Sequence, residues 1–247
     1  NEARDARIIR QIEASFVSDS ETALDPGMVA MTAETKAGLL SGLEVRKPRF
    51  SRSGLFIDAT GSVLTTVEAV AQCGRITIDR TTEATVALTD TTSGIALLKP
   101  ATALAPRKVA ALQTGPGRAG AEIVVSGYSY EDRLPAPVLT FGTVEDLTGL
   151  NGEPGLRRLA LQALPGDAGG PVLDASGAVI GMLLPAGPLA GRQLPPGVQF
   201  ALSAAELARL VTPSGVQPVT ATTTAALTPA DLADTGMGMT ALVSCWD

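Results

Sequence analysis

The most telling absence in these 247 residues is histidine, of which there is none. That removes the side chain most used as a general acid or base near neutral pH, and a common ligand for zinc or copper. Only two cysteines are present, Cys73 and Cys245. Two thiols without histidine make a poor metal set, so no metal and no cofactor is expected. The pair reads equally well as one disulfide or as two buried thiols. Positive charge is also short: the formal net charge is −6 and the sequence pI about 4.8. A broad basic surface for nucleic acid is therefore not expected. No uninterrupted apolar run reaches the eighteen or so residues of a spanning helix, and the apolar stretch 175–190 is broken by Gly and Pro. Aromatics make up only 3%.

What is present is a 45% apolar chain rich in Val, Leu, Thr, Gly and Pro, a balance that suits short strands joined by tight turns. Residues 1–50 read differently. Ile8, Ile9, Ile12 and Phe16 fall at helical spacing within Ala3–Val17, and a second helical stretch is expected over about Thr32–Leu43. From Ser53 the pattern shortens to strands, with five expected in a first lobe: Gly54–Asp58, Ser62–Thr65, Arg75–Asp79, Ala84–Thr89 and Gly94–Leu98. A second lobe is expected from Glu122–Gly127 to Val198–Leu202. Ser203 is the expected N-cap of a closing helix to Val211, with Glu206 completing a capping box. A Thr-, Ala- and Pro-rich strap follows, and the short apolar end Met237–Trp246 is expected to dock back. The expected units are 1–50, 51–105, 106–211 and 212–247.

One segment carries chemistry. In Leu159–Gly181, the run Leu164-Pro-Gly-Asp-Ala-Gly-Gly-Pro171 precedes a hairpin pattern, and its glycines permit a turn sharp enough to aim successive N–H groups at one point. It resembles the nucleophile loop of trypsin-like serine proteases, Gly-Asp-Ser-Gly-Gly-Pro, with Ala168 where Ser belongs. Upstream, Ser53-Gly-Leu-Phe-Ile57 through Leu64-Thr-Thr-Val-Glu-Ala-Val70 is similar to the first-barrel hairpin of bacterial members of the high-temperature-requirement type, with Glu68 at the His position. Ser93-Gly-Ile-Ala-Leu-Leu-Lys-Pro100 resembles the strand that normally begins with the catalytic Asp, with Gly94 there. Val125–Tyr128 with Leu139–Val144, and Val198–Leu202, match the second barrel. The five blocks cover roughly residues 53–211.

The resemblance implies a mainly β fold of two six-stranded antiparallel Greek-key barrels, flanked by N-terminal helices, a C-terminal helix and an extended tail. It also implies a degenerate triad. Ala168 has no nucleophilic atom, Glu68 has nothing to activate, and Gly94 has no side chain to orient a base. Gly166, Asp167 and Ala168 then form a vestigial oxyanion loop, with Gly166 and Ala168 at the donor positions and Asp167 in a structural role. Gln162 falls at the base of the specificity pocket, and Met182, Leu183, Leu184 and Ala186 fall on the edge that pairs with peptide, which Pro185 blunts. Glu68 is expected either as a surface carboxylate or as a plug in the vacated cleft.

The expected function is a non-catalytic binding or scaffold protein, a pseudoprotease serving as accessory subunit of an envelope or periplasmic assembly, with a protein partner. One alternative is a regulatory peptide-binding pseudoenzyme using the old cleft. Another is a hydrolase in which Glu68 acts with Ser126 or Ser176. The resemblance and the possible disulfide together imply export.

Overall fold

The computed structural model describes residues 47–187, 195 and 197–247, together with six positions before residue 47. The chain divides into Asn1–Arg46 and Lys47–Asp247. In the first unit, residues 6, 7, 9 and 10 are helical and exposed, and Arg10 Nε donates to the Ala6 carbonyl at 3.1 Å. The remainder of the expected helix Ala3–Val17, and nearly all of Thr32–Leu43, lie outside the described residues.

The second unit holds two closed six-stranded antiparallel barrels. The first uses β1 (Phe50–Phe56), β2 (Val63–Thr66), β3 (Arg75–Ile78), β4 (Thr82–Asp90) and β5 (Ile95–Pro100). Its sixth strand, β14 (Thr240–Trp246), comes from the C-terminal end and lies between β1 and β3. Phe50 pairs with Cys245 and Leu55 with Thr240 on one side; Ile78 pairs with Val243 and Arg75 with Trp246 on the other. Strand β14 is buried on both faces, with Ala241, Val243 and Cys245 on one and Thr240, Leu242 and Ser244 on the other, and it satisfies two strands that would otherwise be open edges. The Cys73–Cys245 disulfide ties its far end to the segment after β2.

The second barrel contains β7 (Glu122–Gly127), β8 (Val138–Asp146), β9 (Leu156–Ala160), β10 (Pro171–Leu173), β11 (Val179–Leu183) and β12 (Val198–Ser203), closed by the β10–β11 pairing. Two short strands, β6 (Ala111–Leu112) and β13 (Val219–Thr220), are appended in parallel beyond β11. Helix α1 (Ala204–Val211) closes the lobe and α2 (Pro229–Met239) leads directly into β14. Ser203 caps α1 by accepting from Glu206 N at 3.4 Å, but the expected capping box is only half formed. The Glu206 carboxylate turns outward to Arg209 at 2.8 Å, where an i, i+3 ion pair competes for it.

One core cluster joins the lobes. Leu55, Leu64, Ile95 and Leu97 of the first barrel pack with Val124, Leu173, Met182 and Leu202 of the second, and with Leu207, Leu210 and Met239 of the helices. Complete burial of leucine-sized side chains contributes about 1.5–3 kcal/mol each, so this shared cluster fixes the two lobes as one body. No helix among the described residues is long and apolar enough to cross a membrane.

Candidate functional site: a remodelled protease cleft

Ala168 lies just after the 3-10 turn Pro165–Asp167. The glycines around it have steric causes. A Cβ at Gly166 would strike the Tyr128 carbonyl oxygen, and one at Gly169 would strike that of Ser53. Gly169 also sits at φ +88°, where L side chains are strained. The turn is pinned from both lobes. Ser53 N donates to the Ala168 carbonyl at 3.0 Å, and Ser53 Oγ donates to the Gly166 carbonyl at 2.7 Å while accepting from Tyr128 N at 2.7 Å.

Asp167 is buried beneath this turn. Its carboxylate accepts from Ser129 Oγ at 2.6 Å and from Leu164 N at 2.8 Å. Burial pushes the carboxyl above the ordinary aspartate range, opposed by those two hydrogen bonds. It therefore braces the loop, closing a link from the Ser129 side of the cleft to the start of the turn.

An oxyanion hole requires donors free to point at the reacting oxygen. The structure corrects the expectation at one of the two donor positions: Ala168 N donates to the Pro165 carbonyl at 3.3 Å, completing the 3-10 turn. Ala168 itself is only 2% exposed, so no ligand reaches it in this conformation.

In the first lobe, Glu68 sits in the 3-10 turn Val67–Ala69. Of the two expected states it is the surface carboxylate, and it is ion-paired. Its Oε1 accepts from Arg52 Nε at 2.7 Å, with Glu68 41% and Arg52 15% exposed at the side chain. Arg52 Nη1 also reaches Glu131 Oε1 at 3.1 Å, across from the second lobe, and the guanidinium stacks 5.0 Å from the Phe50 ring centre. Gly94 is a further departure from a simple side-chain deletion. It occupies φ +75° at the end of a turn held by Asp90, whose carboxylate accepts from Thr92 N and Ser93 N and whose carbonyl accepts from Gly94 N. Its own carbonyl accepts from Val67 N at 2.9 Å. A Cβ at Gly94 would meet nothing within 4 Å.

The expected peptide edge is largely covered. Met182 and Leu183 are buried, and β11 is paired on both sides, with β10 and β12. Leu183 N donates to Gly170 O at 2.9 Å and its carbonyl accepts from Gly169 N at 2.8 Å, so these two residues have no free face for a peptide. Leu184 is half-buried with its N–H given to Phe200 O, while Ala186 and Gln162 are exposed. The two serines considered as stand-in nucleophiles are engaged elsewhere. Ser126 is fully buried and its Oγ accepts from Thr240 Oγ1 at 2.7 Å; Ser176 Oγ donates to Asp174 at 2.7 Å in a tight turn. Neither contacts Glu68. A separate cavity of about 680 Å³, lined by Gln113, Arg118, Leu147, Asp174 and Ile180 among others, includes none of Glu68, Gly94 and Ala168.

Sequence reasoning missed Arg52, Glu131, Ser53 and Ser129. A lone Arg or Ser in a strand or turn carries no local signal, because its partners lie 16 to 113 residues away.

The architecture and the loop geometry define a trypsin-like peptidase fold, and the comparisons agree. Residues 52–182 match the family model of the trypsin-like peptidase domain, and the chain belongs to that family. Among solved structures it is similar to the Rv3671c protease of M. tuberculosis H37Rv in an inactive serine-to-alanine form. That match has 25% identity and a TM-score of 0.54, covering 70% of this chain and 86% of that one. A serine endoprotease from Yersinia pestis shares the fold at 18% identity and TM-score 0.54, over 67% of this chain and 58% of that one. An uncharacterized protein, y4bJ, of Sinorhizobium fredii is 28% identical over 204 residues, covering 78% of this chain. The match spans only 32% of that relative's length.

Proposed function

We propose that this chain is a catalytically silent member of the trypsin-like peptidase family that acts through protein binding, as a scaffold or accessory subunit of an exported, envelope-associated assembly. Glu68, Gly94 and Ala168 stand at the positions of the His, Asp and Ser of the triad. The observation that carries the reading is the state of Ala168: it offers no nucleophilic atom, it is buried, and its N–H is spent inside the turn. The absence of histidine from the whole chain supports it, since no imidazole is available from another position. The Cys73–Cys245 disulfide supports an oxidising compartment, where such bonds persist.

A regulatory peptide-binding role in the old cleft is a weaker reading, because Met182 and Leu183 present no open edge. A hydrolase built on Glu68 with Ser126 or Ser176 is weaker still, since Glu68 is bonded to Arg52, Ser126 is buried against Thr240, and Ser176 is held to Asp174 inside its own turn.

The test pairs the natural chain with a restored one, Glu68→His with Gly94→Asp and Ala168→Ser, on broad peptide and ester libraries. Neither is expected to turn over, because the restored side chains would still meet a closed turn and a left-handed backbone at position 94. Turnover by the natural chain would overturn the silent reading. Turnover by the restored chain alone would show that only side chains were missing. Cross-linking of the natural assembly then separates the binding modes: a stoichiometric partner on 1–50 or 212–247 supports the scaffold, whereas contacts around Ala168 and Gln162 support peptide capture.

A further inference from the structure

We propose that Arg52, Glu68 and Glu131 form an inter-lobe lock that seals the vestigial cleft over Ala168, an autoinhibitory contact that must break before anything enters it. This deepens the reading above and rests on its assignment of the cleft. Three observations carry it.

The first is placement. Arg52 is the β1 residue next to Ser53, whose N–H holds the Ala168 carbonyl, so the guanidinium is rooted one residue from the vacated nucleophile position. The second is connectivity. The same guanidinium bonds Glu68, from the first lobe, and Glu131, from the second, and therefore ties the two lobes together beside the strand that holds the Ala168 turn. Its Nη1 is further fixed by the Ser51 carbonyl at 2.9 Å and its plane by Phe50. A planar, pre-oriented guanidinium loses little freedom in holding two carboxylates at once. The third is the second-lobe wall. Glu131 is held at φ +59° in the turn that follows Tyr128, and its N–H donates to the Tyr128 carbonyl at 2.7 Å. Arg80 adds a parallel tie by donating to the carbonyls of Asp132 and Leu134. A non-glycine residue at positive φ costs free energy that the surrounding contacts must offset. Glu131 is therefore the member of the lock whose release relaxes the backbone.

Ala168 is buried, and the turns that carry Asp167 and Glu131 both pack against β1, the strand that holds Arg52. The lock explains how a protease scaffold is kept from taking peptides without filling its cleft with bulky side chains.

A thiol reporter tests it. Ala168→Cys is placed in the full chain, whose two native cysteines are bridged, and alkylation by iodoacetamide is followed by intact mass. The lock-intact protein is expected to label slowly. Adding Arg52→Ala or Glu131→Gln is expected to accelerate labelling about two- to fivefold, the range for a partly exposed, screened ion pair. Rapid labelling with the lock intact overturns the proposal, as does unchanged labelling in both lock variants. Should Arg52→Ala fail to fold, Glu131→Gln decides, because it leaves Arg52 on Phe50 and Glu68. Labelling reads access and the library assay reads turnover, so failure of the lock leaves the silent reading standing, and the converse also holds.

Discussion

The loop around Ala168 and the first-lobe positions Glu68 and Gly94 differ in how tightly their surroundings constrain them. Around Ala168 the backbone is boxed in: Gly166, Gly169 and Gly170 each lie against a carbonyl oxygen that forbids a Cβ, and Asp167 braces the turn from below. At Gly94 there is open space, and at Glu68 a half-exposed carboxylate. The loop is one place where the two barrels meet, through Ser53 to Gly166 and Tyr128, so its residues are architectural whether or not chemistry follows. Glu68 and Gly94 carry no such load.

The sharpest way to break this contrast is a matched pair of glycine substitutions. Gly169→Ala is expected to cost about 3 kcal/mol, from overpacking against backbone plus a disallowed φ. Gly94→Ala is expected to cost only about 1 kcal/mol, from φ alone. Urea unfolding checks both, and equal costs would erase the distinction.

A smaller effect concerns Asp167. Removing one of its two acceptor roles in Asp167→Asn is expected to cost about 1–2 kcal/mol at low pH. The sign of the pH dependence follows from linkage. The folded carboxyl titrates above its ordinary value of 3.8, so the folded state holds the proton more tightly than the unfolded state. Wild-type stability therefore falls as pH rises from about 3.8 through the raised folded value, while the Asn variant lacks this term. The variant's deficit narrows across that window, measurable as the difference in urea midpoints at pH 4 and pH 7. A deficit that widens would mean the hydrogen bonds outweigh burial.

The smallest effect is expected at Glu68→Gln, below about 1 kcal/mol in thermal or urea unfolding, because the pair is partly exposed and screened. A larger loss would place Glu68 among the architectural residues.

Much of the fold was legible from residues 53–211, because turn-forming glycines and strand-forming runs are local signals. The hairpin around Gly61, the turn at Asp174–Gly177 and the cap at Ser203 lie where the pattern put them. The sixth strand of the first barrel was legible only as an apolar end. Its pairing of Phe50 with Cys245 spans almost the whole chain, and no local pattern encodes a contact at that separation. The disulfide was likewise an open alternative until β14 brought Cys245 within 5.3 Å, Cα to Cα, of Cys73. In the site, the residue types at the motif positions were readable from the sequence, but the inward-turned Ala168 N–H and the left-handed Gly94 are backbone states.

The sequence by itself determined that the family's loop is present and that no imidazole exists to serve it, since composition and short-range motif need no folding to read. Only the tertiary structure decided that Ala168 is buried with its N–H turned to Pro165 and that Arg52 joins Glu68 to Glu131. The reason is physical: a salt bridge between lobes, and a backbone donor's choice of acceptor, depend on distances set by the packing of the two barrels against each other.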